Sequence, residues 1–220
     1  MPGLDLPFTQ AEYDRRLALI RADMAERGID VLFLEDPSNM AWTTGYDGWS
    51  FYVHQGVIVF QDEPPIWWGR RQDANGARRT VWMEDDRVAD YADNYIQSME
   101  RHPMQNLAAL LTRHGYAGKR IGVELENYYF SAKAYLTLKE ELPNADFVDA
   151  TGVVNWLRGV KSDEELVFMR KAARISEKIM DGVFERVEPG MRKADLVAEI
   201  YADAIRGLDD AWGDYPAIVP

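Results

Sequence analysis

The run G-Y-D-G-W-S-F-Y at positions 45–52 holds the densest chemistry in the chain. Gly45 and Gly48 free the backbone for a turn, and Trp49, Phe51 and Tyr52 follow as large aromatics. An aromatic face attracts a cation by roughly 0.5–2 kcal/mol, so Trp49 and Tyr52 would suit a planar cationic ligand. A β-turn feeding a hydrophobic strand accounts for the same residues without any ligand. A second cluster, I-W-W-G-R-R-Q-D at 66–73, offers Arg70 and Arg71. Their guanidinium forks can hold a carboxylate in a bidentate pair. The competing reading is a strand end whose tryptophans enter the core and whose arginines lie on an acidic surface.

The remaining titratable residues are less patterned. His54, His102 and His114 are scattered, with no H-x-x-x-H or H-x-x-E spacing. A metal needs several ligands within about 2–2.5 Å of one point, so no metal site is predicted. The chain has no cysteine, which removes disulfides, thiolate nucleophiles and cysteine-zinc sites together. Glu84, Asp85 and Asp86, and later Asp209 and Asp210, form acidic stretches of the kind that face solvent.

The elements that must position these groups alternate between strand and helix. T-Q-A-E at 9–12 starts a helix with Tyr13, Leu17, Ile20 and Met24 on one face, closed by Gly28. Residues 29–34 form an almost wholly apolar run, the pattern of a strand buried on both faces, and D-P-S-N at 36–39 breaks it. Residues 51–60 and 66–68 predict two strands around the turn Q-D-E-P-P. A helix is expected over about 73–83, then irregular acidic sequence to Arg101. Helices over 103–114 and 131–142, the second capped by Ser131, and strands over 120–125 and 145–149 complete an α/β sheet flanked by helices.

A polar connector at 158–161 marks a boundary at about Val160. Beyond it Ser162 and Glu165 make a capping box, and a second helix follows from Asp195 to near Gly207.

With 220 residues, 47% of them apolar, the chain can build a real core. Its net charge of −12 argues against nucleic acid and anionic membrane surfaces as partners. The N-terminal stretch lacks the charged and apolar segments of a signal peptide, and no run reaches the ~18 apolar residues of a membrane span. A cytoplasmic setting is the expectation.

Two motifs then carry a family resemblance. R-G-V-K-S-D-E-E-L-x-x-M-R-K-A at 158–172, with V-E-P-G-M at 187–191, resembles the entry to the catalytic domain of the creatinase/prolidase (pita-bread) family. G-I-D-V-L-F-L-E-D-P-S-N-M-A-W-T-T-G-Y at 28–46 resembles that family's first strand and its N-x-x-Y-L-T-G-Y turn, with Trp42 where a tyrosine often stands. The similarity covers most of the chain and lies nearest the branch that hydrolyses ectoine.

The resemblance implies a creatinase-like N-terminal α/β domain, a mixed sheet flanked by helices, over 1–160. Over 161–220 it implies the first helices of a truncated α+β pita-bread catalytic domain. It implies a hydrolase opening the cyclic amidine of ectoine, with most catalytic residues beyond Pro220, so that the chain alone would be inactive and its half-built domain prone to self-association. It further implies a homodimer in which the N-terminal domain of one subunit covers the site of the other. There Trp49, Phe51 and Tyr52 would touch a small zwitterionic, ectoine-like substrate. In creatinase the matching strand supplies an arginine for the substrate carboxylate; here the nearest positions are Val53 and His54.

No cofactor is expected in this chain. A divalent metal would belong only to the alternative of a prolidase-type Xaa-Pro dipeptidase or aminopeptidase. A non-catalytic peptide-binding module is the third possibility.

Overall fold

The computed structural model describes residues 6–48 and 50–211. The chain divides between Val160 and Lys161 into two compact units. In the first, helix α1 (Gln10–Glu26) starts where Thr9 Oγ1 accepts from the Glu12 amide, and it buries Tyr13, Leu17, Ile20 and Met24. Strand β1 (Val31–Leu34) is buried throughout. The predicted break at 36–39 is instead the start of helix α2 (Pro37–Thr44): Asp36 Oδ1 accepts from the Ser38 and Asn39 amides and Pro37 takes a first-turn position. An acceptor followed by proline starts a helix as readily as it ends a strand.

Strand β2 is shorter than expected, spanning Gly56–Phe60, which leaves residues 51–55 outside it. β3 (Ile66–Arg70) leads directly into helix α3 (Arg71–Thr80). Strand β4 (Val88–Tyr91) lies within the segment expected to be irregular. Helix α4 (Pro103–Arg113), β5 (Arg120–Val123), helix α5 (Ala132–Glu141), β6 (Asp146–Asp149) and the short helix α6 (Val153–Leu157) follow.

The strands form one mixed sheet in the order β4-β3-β2-β1-β5-β6. β2 is antiparallel to both its neighbours, and the remaining pairs are parallel. Five strands therefore end at the same edge, where β2 begins. Alternate side chains feed two cores, one on each face. Leu32, Leu34, Val57, Val59 and Trp67 pack with α1, α2 and α6; Val31, Phe33, Ile58, Phe60 and Trp68 pack with α4 and α5. Both tryptophans of the 66–73 cluster are thus interior.

In the second unit, helix α7 (Asp163–Arg186) starts at the capping box: Ser162 N donates to Glu165 Oε2 (2.7 Å) and Glu165 N to Ser162 Oγ (3.2 Å). Helix α8 (Lys193–Arg206) packs on it, with Arg186 paired to the buried Asp203 at 2.6 Å. Phe168, Met169, Met180 and Phe184 of α7 are exposed. Among the described residues no helix is long and apolar enough to cross a membrane.

Candidate functional site

The sheet edge where five strands end gathers several of the buried polar residues of the first unit. Glu35 follows β1 and Glu124 follows β5, and both are almost fully buried. The carboxyl ends of parallel strands, where the chain leaves the sheet in opposite directions, are the usual place for ligand-binding groups.

Glu124 acts as an anchor. Its Oε2 accepts from the amides of Glu35 (2.9 Å) and Asp36 (3.0 Å), and its Oε1 from Asn39 Nδ2 (2.5 Å). Asn39 in turn donates to Asn155 Oδ1 (2.8 Å) and accepts from Arg158 (2.8 Å), which ties α2 to α6. Burial raises the Glu124 pKa, against the lowering effect of the Asp36, Asn39 and Glu35 donors.

Glu35 Oε1 lies 2.5 Å from His54 Nδ1, while its Oε2 is buried with no hydrogen-bond partner. Burial pushes the Glu35 carboxyl up to about 7; His54 and the Gln55 backbone oppose that shift and Glu124 adds to it. The His54 carbonyl accepts from the Tyr91 hydroxyl (2.5 Å) at the end of β4. The His54 ring sits 5.0 Å from that of His102. His102 caps α4, its Nδ1 accepting from the Met104 amide (3.2 Å), while Gln105 Oε1 accepts from the His102 amide. Burial, with His54 and Lys133 nearby, pushes the His102 pKa down to about 4. An imidazole nitrogen can accept only while it carries no proton, so cap and shift agree. His114 lies at the far end of α4, stacked on Phe60 and 3.5 Å from Glu63.

The aromatic turn joins α2 to this edge. Gly45 terminates α2 in the left-handed region (φ +82°). Tyr46 is buried and donates to Gln55 Oε1 (2.7 Å). Trp49 lies outside the described residues. Phe51 is half-buried and meets Tyr129 edge-on at 5.2 Å. Tyr52 is 67% exposed, beside Arg70. The guanidinium forks of the 66–73 cluster are occupied: Arg70 makes a bidentate pair with Asp73 (2.8 and 3.1 Å), and Arg71 bonds Asp90 (2.9 Å). Asp73, and then Tyr52, hold the Arg70 pKa well above its ordinary value.

Of the predicted contact residues, then, Phe51 and Tyr52 stand on one rim with His54 and Arg70. Glu35, Glu124, His102 and Tyr129 went unrecognised as parts of that rim. The available signal was a glutamate placed directly after each of two apolar strands. Among the described residues no group of three or more histidines and carboxylates could hold a metal ion.

Comparison with known proteins adds four findings. The family model for the Creatinase/Prolidase N-terminal domain matches residues 16–160. The chain is 51% identical to an ectoine hydrolase of Halomonas elongata over all of its own length and 57% of that protein's. It is 39% identical to an uncharacterized hydrolase/peptidase of Sinorhizobium fredii, covering 98% of this chain and 55% of the relative. Among solved structures, an Xaa-Pro dipeptidase from Bacillus anthracis superposes with a TM-score of 0.69 at 16% identity, over 87% of this chain and 48% of that one. The chain spans about half the length of the curated relatives it matches.

Proposed function

Because the chain belongs to the creatinase/prolidase family, we propose that it forms the substrate-covering part of a hydrolase that opens the cyclic amidine of ectoine. The observation that carries this reading is the 51% identity to an ectoine hydrolase along the whole chain, against 26% to a creatinase of Bacillus. Residues 1–160 act as the N-terminal domain, and α7 and α8 begin the catalytic one. The working enzyme is a homodimer in the cytoplasm, with the aromatic turn of one subunit closing over the site of the other.

In the reaction, the oxygen of water bonds to the ring carbon between the two nitrogens. One ring C–N bond then breaks, and the departing nitrogen takes up a proton to leave an amine beside an open-chain amide. The enzyme must grip the planar cation without stabilising it more than the transition state. Trp49, Phe51 and Tyr52 supply that grip, by stacking and cation–π attraction that strengthen as water is excluded. The bond-breaking groups belong to the catalytic domain.

The test is to incubate the full-length protein with ectoine and follow ring opening by proton NMR, with Xaa-Pro dipeptides and added manganese in parallel. Stoichiometric conversion of ectoine to the open-chain amide is expected. Manganese-activated cleavage of the dipeptides, with ectoine untouched, would replace this reading with the peptidase one.

A further inference from the structure

Among the described residues of the aromatic turn, the Val53 amide donates to the Ser50 carbonyl (3.0 Å), the Asp47 amide reaches Thr80 Oγ1 (3.3 Å) and the Tyr46 amide reaches Thr44 Oγ1 (3.2 Å). The segment facing it, residues 124–130 between β5 and α5, is braced at almost every residue. The Asn127 amide donates to the Glu124 carbonyl and the Phe130 amide to the Asn127 carbonyl, both at 3.2 Å. The Tyr129 amide bonds Asn127 Oδ1 (3.0 Å), and the Glu126 amide bonds Thr151 Oγ1 (3.1 Å). Asn127 Nδ2 also reaches the buried Glu124 carboxylate (3.3 Å), and Phe130 is locked in the core. Tyr129 stands on this rigid frame with its ring edge-on to Phe51.

Resting on the assignment of the turn as a substrate surface, we infer that Tyr129 is a positioning residue for the site: it fixes the ring of Phe51, and through it the face that the turn offers to a planar cationic substrate. Glu124 supports Tyr129 through Asn127, so a buried carboxylate beneath the sheet edge governs the geometry of the cover. A side chain held in one rotamer before the substrate arrives loses less freedom on binding. Loss of this support therefore falls on substrate binding and leaves the bond-breaking step alone.

Steady-state ectoine hydrolysis by the full-length protein tests this. Tyr129→Ala is expected to raise KM by roughly 3- to 10-fold, from the ordinary strength of an aromatic pair, with kcat within about twofold of wild type. Tyr129→Phe keeps the ring and brings KM back toward the wild-type value. Tyr129→Leu fills the space without a ring and gives the same rise should the alanine variant unfold. In a Phe51→Ala background, Tyr129→Ala is expected to add nothing further, since the two act through one contact. A KM insensitive to Tyr129 in an otherwise active enzyme, or fully additive effects in the double variant, removes the inference and leaves the substrate assignment standing. A wild-type enzyme that does not open ectoine removes both.

Discussion

Replacing Glu35 by glutamine should make the protein more stable, and increasingly so as pH rises. Glu35 is 2% exposed, and one of its oxygens has no partner. Burial moves its pKa from 4.5 to about 7 in the folded chain. Because the folded value lies above the unfolded one, the carboxyl's contribution to stability is fully present below pH 4.5 and is lost as pH climbs through 7. At about 1.4 kcal/mol per pKa unit, the loss is about 1 kcal/mol at pH 5.5 and about 3 kcal/mol at pH 8.5. Glutamine has nearly the same shape, can accept from His54 and never ionises. Its advantage over glutamate should therefore grow by about 2 kcal/mol across that interval. Urea unfolding followed by circular dichroism at half-unit steps measures this directly, and starting at pH 5.5 keeps clear of the isoelectric point near 4.7. Parallel pH profiles for variant and wild type would refute the reasoning. So would a variant that loses ground above pH 7, since Glu35 would then be acting as a stabilising ion-pair partner of His54.

Two further expectations concern the same rim. Gly45→Ala places a Cβ 2.7 Å from the Tyr13 hydroxyl and 2.9 Å from the Thr80 carbonyl, at a φ of +82°; a loss of about 2–4 kcal/mol in unfolding free energy, with an unchanged denaturant slope, is the expected result. The His102 imidazole, held neutral by burial with a pKa near 4, should show ring NMR shifts that stay flat from pH 8 down to 5.5, and His102→Ala should speed amide exchange in the first turn of α4 through a cap loss of about 1 kcal/mol. A midpoint near 6.5 for His102 would contradict the structure.

Where the sequence was legible, local chemistry decided the outcome. β1 was readable because V-L-F-L is apolar on both faces, and α7 because Ser162 and Glu165 satisfy each other's backbone amides within four residues. α2 is not legible in the same way, because Asp36-Pro37 reads as a strand breaker although it is equally a helix start. β4 was missed because V-A-D-Y is short, half polar and embedded in acidic sequence, and only its pairing with β3 makes it a strand. The site divides along the same line. The aromatics of the turn announce themselves by type. Glu35 and His102 gain their meaning only from partners that the fold delivers. Glu124 and the amide of Glu35 are separated by 89 positions, and no local pattern encodes that meeting.

That long separation also orders events at the ribosome. At about 5–20 residues per second, Glu35 emerges roughly 4 to 18 s before the carboxylate that will cap its amide. During this interval β1 can pair with β2, made soon after it, but its other edge stays open until β5 is synthesised. A nascent chain halted between the two strands would present a bare, wholly apolar strand edge to its neighbours. Slow translation between residues 60 and 120 should therefore be poorly tolerated, and a trigger-type chaperone that shields strand edges should raise the yield of native protein.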